Sequence, residues 1–329
     1  MIDTDKQFSR PTRTAQRMVP DMSNEKGTSP KTKFQAFLNE ELSKVQGIYY
    51  PVKAGFLRRV LVKNISMKKL HPNPDDEFCK PDIGPNYSII SRYQGDLARL
   101  KSNSNAKFLS HNAAYEPLQV QKISPDGYMI LNGHHRWAAA HQVGLRRIDI
   151  EIMDLTQKED ILKMIKASGH DRRVTLDLDE VVFCPDDSSL CEKPLPLWLR
   201  RTYKERIRLG IPALFQFLAG RGYDIWVYTA RYYSTGYLRY LFRHYHCPVA
   251  GIITGTGRKG PSGSDMRQQL EEIFDEKYQS TLHIDNTMIL QTFAHSRTFR
   301  DYQLEHTDSR WSAEVMNIIQ EIEAKEQKK

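Results

Sequence analysis

The stretch RRVTLDLDEVVFC, residues 172–184, decides the fold of the second half of the chain. Val174 and Leu176 belong to an apolar run that predicts a buried strand. Asp177 and Asp179 follow where that strand would leave a parallel sheet. Two carboxylates this close repel each other unless a cation lies between them. The stretch therefore predicts metal-assisted phosphate chemistry at a strand end, with an ordinary acidic turn as the alternative.

The sequence after this strand alternates strand-like and helix-like segments. In order they read VTLDL, IPALFQFLAGRG, DIWVYTA, YLRYLFRHY, VAGIITG, SDMRQQLEEIF and TLHIDN. This alternation predicts an α/β domain over residues 172–312 with a doubly wound parallel sheet, whose ligands bind beyond the carboxyl ends of the strands. Apolar residues at helical spacing predict a C-terminal helix over residues 313–329.

Three more polar side chains follow strands of this predicted sheet. Thr229 ends DIWVYT, Lys259 lies just beyond GIITG, and Asp285 ends TLHID. Because the carboxyl ends of parallel strands share one edge, these groups are expected to converge on the D-x-D pair. Taken singly, each residue also fits a structural role, as a helix cap, a surface lysine or a turn aspartate.

The order of the motifs DLDEV, VYTAR, RKG and IDN resembles the haloacid dehalogenase (HAD)-like phosphohydrolases. The resemblance implies a Rossmann-like domain that hydrolyses a phosphoester through an aspartyl-phosphate. It makes Asp177 the nucleophile and Asp179 the general acid and base. Thr229 and Lys259 are implied to contact the phosphoryl group, with Lys277 as the alternative to Lys259. Asp177, Asp179 and Asp285 are implied to hold Mg²⁺, which with the lysine cancels the charge of the phosphate.

The gaps between these motifs hold little more than the core helices, so the resemblance implies a capless site. An open site suits a phosphorylated nucleic-acid end, a nucleotide or another bulky phosphoester. Asn286 stands where many family members have a second acid, and an amide there can still position a metal-bound water. PLWLRRTYKERIR and ARYYSTGYLRYLFRHYH mix bases with aromatic residues, which suits nucleic acid and equally a solvated basic helix.

The first half of the chain predicts a compact α+β module over residues 33–155. PLQVQKI and YMILNG flank an SPDG turn as a hairpin, and HHRWAAAHQVG has the pattern of a helix. Residues 1–32 are polar without apolar periodicity and predict a disordered arm. Residues 156–171 predict a linker helix, in which Thr156 and Glu159 have capping-box spacing.

The segment LNGHHRWAAA places Gly133, His134, His135 and Arg136 where a strand turns into a helix. Unpaired N–H groups at a helix start and the planar fork of an arginine together suit an anion. These four residues therefore predict a phosphate-binding turn. A tight turn with a purely structural role is the alternative.

The G-x-H-R turn before WAAA, with HPNPDDEF upstream, resembles the ParB/sulfiredoxin superfamily. The resemblance implies that the turn binds a nucleotide such as ATP, ADP or CTP. Some members transfer phosphate, including free-serine kinases, and by analogy Asp75, Asp76 and Glu77 are a base or metal ligands, or else a solvated loop. A sulfiredoxin needs a cysteine where His134 stands, which argues against peroxiredoxin repair.

The composition of the chain indicates the kind of partner and the cellular location to expect. A net charge of +8, from 48 Lys and Arg against 40 Asp and Glu, favours an anionic partner. No apolar run approaches the roughly 20 residues of a membrane span, and the N-terminus lacks the apolar core of a signal peptide, so a cytoplasmic protein without a membrane partner is expected. Cys79, Cys184, Cys191 and Cys247 have no C-x-x-C spacing and are expected to be free thiols.

These features together predict a Mg²⁺-dependent, capless phosphatase joined to a nucleotide-binding module. Two alternatives stay open. In the first, the modules act as a kinase and a phosphatase on one substrate. In the second, the protein is a non-catalytic regulator that binds nucleic acid and only senses a nucleotide, and its binding would depend strongly on salt.

Overall fold

The computed structural model describes residues 30–45, 49–102, 116–184, 188–256 and 263–327. Within these ranges the chain forms two modules of mixed α/β structure, each built on a six-stranded sheet. The predicted disordered arm lies outside the described residues up to residue 29, and its last residues, from Pro30, already belong to the first helix.

Six short strands form the sheet of the first module: β1 Tyr50–Pro51, β2 Asn64–Ser66, β3 Leu70–His71, β4 Leu118–Ser124, β5 Tyr128–Asn132 and β6 Arg147–Ile152. Its helices are α1 Pro30–Val45, α2 Phe56–Leu61, α3 Tyr87–Ser102 and α4 His134–Gln142. The strand order is β2-β6-β4-β5-β3, and β1 pairs with β4. The predicted hairpin is confirmed, because β4 and β5 pair antiparallel.

The core of the first module lies between its sheet and the helices α1, α3 and α4. Phe34 of α1, Trp137 of α4 and Ile130 of β5 are almost fully buried in it. Trp137 follows the G-x-H-R turn directly, so burial of its ring against Phe34, with centroids 6.1 Å apart, holds the start of α4 against α1.

The second module contains the other half of the regular structure. Its strands are β7 Arg172–Asp177, β8 Tyr223–Thr229, β9 Gly251–Thr254, β10 Ser280–Ile284, β11 Met288–Phe293 and β12 Phe299–Gln303. Its helices are α5 Lys158–Ala167, α6 Leu197–Arg200, α7 Ile211–Gly220, α8 Thr235–His244, α9 Gly263–Lys277 and α10 Trp311–Glu326.

The strand order of this sheet is β12-β11-β10-β7-β8-β9. β10, β7, β8 and β9 are parallel, as the alternation of segments predicts. β11 and β12 are antiparallel, because a tight turn closed by the hydrogen bond from the Asp285 N–H to the Met288 carbonyl, 2.9 Å long, reverses the chain after β10. β7 is central, and Val174 and Leu176 are buried as the sequence indicates.

The predicted terminal and linker helices both form, and each packs on the second module. Val315, Ile319 and Ile322 of α10 are buried in the main core. α5 buries Ile161 and Ile165 against Trp226 and Phe274 on the other side of the sheet. Both apolar stripes therefore serve the core of one module.

The cap of α5 differs from the predicted pair by one residue. The Gln157 N–H donates to Oδ2 of Asp160 over 2.9 Å. Thr156 does not cap the helix, because its hydroxyl donates to the Ile252 carbonyl over 2.8 Å at the entrance of β9. A tertiary contact with β9 has therefore replaced the local bond between Thr156 and Glu159.

The expectation of four free thiols is wrong for two of the four cysteines. Cys184 and Cys191 are joined as a disulfide with Cα atoms 5.2 Å apart, whereas Cys79 and Cys247 are free. The Cys184 N–H donates to the Arg206 carbonyl, and Cys191 pairs with Arg208 across an antiparallel bridge. One segment, residues 206–208, therefore holds both cysteines side by side. Among the described helices, none is long and apolar enough to cross a bilayer.

His283 joins three strands of the second sheet through both of its ring nitrogens. Nδ1 lies 2.8 Å from the Thr175 hydroxyl on β7, and Nε2 lies 3.2 Å from the Thr292 hydroxyl on β11. Burial, and then the charge of Arg173, lower the pKa of His283 to about 4. The ring is therefore neutral in the folded protein at pH 7.

We expect the free energy of unfolding to fall as the pH drops from about 6.5 toward 4. In that window the unfolded chain binds a proton at residue 283 and the folded protein does not, so His283 lowers stability by about 1.4 kcal/mol per pH unit. In urea titrations, His283→Gln should flatten this slope. His295→Asn is the control, because His295 is exposed and its φ of 55° suits asparagine. Equal slopes for wild type and His283→Gln would contradict the assignment.

Candidate functional site

Asp177 is the last residue of β7 and caps the π-helical turn Leu178–Val182, which contains Asp179. Oδ1 of Asp177 accepts hydrogen bonds from the backbone N–H groups of Asp179, at 2.8 Å, and Glu180, at 2.9 Å. These bonds hold the carboxylate at the end of the strand and separate it from the Asp179 carboxylate. Oδ2 of Asp177 makes no hydrogen bond to any described residue. One oxygen of Asp177 is thus fixed, and the other is available to a ligand.

Asp179 is held by the end of the neighbouring strand. Its Oδ2 accepts a hydrogen bond of 2.5 Å from the Thr229 hydroxyl, and its Oδ1 lies 3.2 Å from Nε of Arg231. The Arg231 N–H donates in turn to Oγ1 of Thr229 over 3.0 Å. The structure therefore brings together Asp177, Asp179 and Thr229, as the sequence predicts.

Arg231 is a member of this group that sequence reasoning did not single out. The available signal was its place directly after the strand-end threonine in VYTAR. Its side chain is 69% exposed although it contacts Asp179. A hydrogen bond to Tyr233, together with the charge of Asp179, raises the pKa of Arg231 further. A permanently charged guanidinium therefore lies exposed beside Asp179.

Asp285 lies on the other side of β7. β10 runs parallel to β7 with Ile284 opposite Leu176, so Asp285 follows at the level of Asp177. Its carboxylate accepts the N–H of Asn286 over 2.6 Å and is otherwise exposed. Asp285 therefore lies at the same edge of the sheet as Asp177.

Asn286 has a structural role at this edge. Its Nδ2 donates to the Glu180 carbonyl over 3.1 Å, and its Oδ1 accepts a bond of 2.5 Å from Arg208. Arg208 is 5% exposed, and its guanidinium lies 4.1 Å from the ring centroid of Trp311. Burial lowers the pKa of Arg208. These contacts tie the end of β10 to the D-x-D turn.

The acidic residues fit a magnesium ion only in part. Among the described residues, no three His, Cys, Asp or Glu side chains are grouped closely enough to hold a metal ion. The Asp179 carboxylate faces Thr229 and Arg231, so it is not grouped with Asp285. Asp177 and Asp285 remain as two carboxylates at the ends of neighbouring parallel strands. Mg²⁺ commonly takes one or two carboxylates and completes its shell with water and phosphate oxygens, so this pair fits it.

The predicted lysine cannot be placed in the site. Lys259 lies outside the described residues. The alternative, Lys277, lies at the end of α9, where its Nζ donates to the Ser168 carbonyl over 3.0 Å. Because Lys277 precedes β10, it lies near the amino end of that strand, whereas Asp285 follows its carboxyl end. The geometry therefore removes Lys277 as a phosphate ligand.

The turn in the first module requires its glycine. Gly133 has φ 101°, in the left-handed region. A Cβ there would lie 2.6 Å from Cδ2 of Leu118 and 2.9 Å from Nη2 of Arg136. The first intrahelical hydrogen bond of α4 runs from the Trp137 N–H to the Gly133 carbonyl, so the N–H groups of residues 134 and 135 precede it.

The two histidines of the turn hold neighbouring loops. Nε2 of the buried His134 accepts the Asn73 N–H over 3.2 Å, and its Nδ1 lies 3.5 Å from Oδ2 of Asp76. Nε2 of His135 accepts the Asn86 N–H over 3.1 Å. Burial lowers the pKa of both rings, so both act as neutral acceptors.

The guanidinium of Arg136 is not exposed, in contrast to the predicted phosphate-binding turn, in which it would face an anion. Arg136 is 5% exposed, and its Nη1 donates to the carbonyl and to Oε2 of Glu116, at 3.1 Å each. A buried guanidinium with these acceptors braces the chain before β4. The part of the turn that suits an anion is therefore the backbone at the start of α4.

The two modules meet at Asp154, which is 6% exposed. Its carboxylate accepts the N–H groups of Ala54, at 2.7 Å, and Gly55, at 3.1 Å. Its backbone N–H donates to the Ser234 hydroxyl over 3.0 Å, and its carbonyl accepts the Thr235 N–H over 3.1 Å. One residue thus links the first module to the start of α8.

A small apolar cluster borders this joint. Leu131, Met153 and Leu155 are buried together, and Tyr232 packs against them. Leu131 lies two residues before Gly133, and Tyr232 follows Arg231 directly. The Gly133 turn and the Asp179 site therefore border the same joint.

Comparison with known proteins finds similarity over part of the chain, mainly in the first module. The ParB N-terminal domain family matches residues 103–168, a range that includes the Gly133 turn. The ATP-dependent L-serine kinase of Desulfurococcus mucosus is 41% identical over 58 residues, which is 17% of this chain and 23% of that enzyme. This part of the chain is thus similar to ParB N-terminal domains, and the match with the kinase spans less than a quarter of that enzyme. No solved structure matches the chain.

Gly133→Ala should destabilise the protein more than Gly144→Ala. Both glycines have positive φ, but a Cβ at Gly144 meets nothing within 4 Å, whereas one at Gly133 meets Leu118 and Arg136. We expect a loss of about 1 to 2 kcal/mol at Gly144 from backbone strain, and a further loss of about 1 to 3 kcal/mol at Gly133 from overpacking. Urea unfolding of both variants measures the difference. Equal losses would mean that the side chains around Gly133 move aside freely.

Proposed function

We propose that the protein is a phosphoryl-transfer enzyme with two sites. In this proposal the first module, residues 33–155, transfers phosphate from a nucleotide to a hydroxyl group. The second module, residues 172–312, is a HAD-like phosphatase. The observation that carries the kinase half is the ParB-type match across the Gly133 turn, together with the similarity to an ATP-dependent L-serine kinase. The phosphatase half rests on Asp177, Asp179 and Thr229 meeting at one sheet edge.

The first site would bind the phosphates of ATP, ADP or CTP at the start of α4. The left-handed conformation of Gly133 begins the helix, and the N–H groups of residues 134 and 135 lie at the positive end of the helix dipole, which attracts anions. The contact of 3.5 Å between His134 and Asp76 brings the NPDDEF loop beside the turn. We assign Asp75 and Glu77 on this loop as candidates for the base that takes the proton of the acceptor hydroxyl.

The second site would work through its own carboxylates. Oδ2 of Asp177 attacks the phosphorus while the bond to the leaving oxygen breaks, and Asp179 gives that oxygen a proton. Asp179 then takes a proton from the water that attacks the aspartyl-phosphate, which releases inorganic phosphate and restores Asp177. The hydrogen bond from Thr229 orients Asp179 for both proton transfers. Mg²⁺ held by Asp177 and Asp285 would supply positive charge to the phosphoryl oxygens.

The nucleic-acid-binding regulator remains the second candidate function. The observations that favour it are the ParB N-terminal match and the net charge of +8. In that case the Gly133 turn would bind a nucleotide without transferring its phosphate. Nucleic-acid binding that weakens steeply with salt, in a protein without turnover, would distinguish it from the enzyme.

Asp177→Asn should abolish hydrolysis of p-nitrophenyl phosphate and leave the fold intact. Asparagine keeps the oxygen that accepts the N–H bonds of residues 179 and 180 but cannot form the phosphoenzyme. Stability should be unchanged or higher, because one of two close negative charges is removed. Glu180→Gln, a neighbouring exposed acid, is the control and should retain activity. Residual activity of Asp177→Asn above about a hundredth of wild type would disprove the nucleophile.

Asp177→Asn is also the background in which to test the kinase. With the phosphatase silent, a phosphorylated product should accumulate from γ-labelled ATP and either L-serine or an oligonucleotide with a free 5′-hydroxyl. Adding Asp75→Asn and Glu77→Gln should reduce transfer at least about 100-fold, the scale of a lost general base, with little change in nucleotide binding. Binding of ATP, ADP or CTP without transfer to any acceptor would favour the regulator instead.

A further inference from the structure

A groove of about 760 Å³ opens on the second module, away from the D-x-D turn. It lies between α5, the end of α8 and residues 248–250, which enter β9. At the other end of β9, Thr254 pairs with Thr229 beside the candidate catalytic site. Because the groove borders the amino end of β9, it is separate from that site.

Four exposed basic side chains line this groove, on α5, on α8 and just after α8: Lys163, Arg239, Arg243 and His246. None of these side chains forms a hydrogen bond or ion pair with any part of the chain that the structure describes. Lys163, Arg239 and Arg243 therefore concentrate positive charge in the groove that the fold itself does not use.

One acid, Asp160, belongs to the described lining of the groove, and it is already neutralised. Its Oδ2 lies 2.6 Å from Nζ of Lys53 and accepts the Gln157 N–H over 2.9 Å. Asp160 is thus committed to the first module and to the cap of α5. Asp160 therefore does not offset the basic residues of the groove.

Arg239 and Arg243 lie one helical turn apart on α8 and repel each other. Arg243 lies in the last turn, where the helix dipole favours a cation, but Arg239 does not. Their Cβ atoms are about 5–6 Å apart at this spacing. Two guanidinium forks at that separation can each grip one of two neighbouring phosphates.

The floor of the groove is apolar, with Met164 from α5 and Cys247, Val249 and Ala250 from the chain that enters β9. A ligand that matches both floor and rim has an apolar part and at least two anionic groups. We propose that this groove binds neighbouring phosphates of a nucleotide or of a nucleic-acid strand, with a base against the floor. This site is independent of the Gly133 turn and of Asp177.

The test compares Arg239→Gln/Arg243→Gln with a matched pair of exposed arginines elsewhere, Arg146→Gln/Arg297→Gln. The first probe is a fluorescein-labelled single-stranded oligonucleotide without terminal phosphate, followed by anisotropy over a salt series. The second is ATP, followed by calorimetry. If the groove holds a strand, the Arg239/Arg243 variant should lose at least tenfold in affinity, and its salt slope should fall by about 1.4, from roughly 0.7 for each of two phosphates.

Loss of ATP binding alone, with oligonucleotide binding intact, would support the mononucleotide as the source of the phosphates. Unchanged binding of both probes, or an equal loss in the control pair, would overturn the proposal. Hydrolysis of p-nitrophenyl phosphate should stay at the wild-type rate in both double variants. Failure of the groove is therefore distinguishable from failure of the phosphatase assignment, and melting curves show whether each variant is folded.

Discussion

The parallel pairing of β7 between β8 and β10 is the constraint on which the second module depends. Leu176 lies opposite Val227 on one side and Ile284 on the other, so the three strands end at one level. Polar side chains that follow these strands are forced onto one edge, where the backbone bonds of the sheet are already satisfied. The close carboxylates of Asp177 and Asp179 are tolerated there because each finds different donors, the backbone of the π-helical turn and the side chains of Thr229 and Arg231 respectively.

A second constraint couples the modules. The carboxylate of Asp154 accepts hydrogen bonds from the backbone of the first module, and the backbone of Asp154 is hydrogen-bonded to the start of α8. Both groups are therefore paired although the residue is buried. Leu131 and Tyr232 meet beside it in a cluster between the two candidate sites. The Gly133 turn and the Asp179 site border one joint, and under the proposed function this would let both reactions act on the same phosphoryl group.

Two pairs of arginine residues differ in their burial and in their hydrogen-bond partners. Arg136 and Arg208 are buried, and their forks are used by carbonyl, carboxylate and amide oxygens of the protein. Arg239 and Arg243 are exposed and unpaired within the described chain. The sequence contains arginine in both cases, and residue type alone does not separate a bracing arginine from one that can bind a ligand. Burial separates them, because a buried guanidinium must be paired.

The sequence by itself determined the parallel strands, the hairpin before Gly133 and the strand ends that carry Asp177, Thr229 and Asp285, because periodicity and strand-end position are local properties of the chain. Only the tertiary structure decided which groups meet. In the folded protein, Asp179 contacts Thr229 and Arg231 and does not join a cluster of three acids. Arg136 is buried against Glu116, and Cys184 and Cys191 are joined because both lie beside the same segment. Each of these outcomes depends on a partner far away in sequence, whose position is fixed only when the sheets and helices pack.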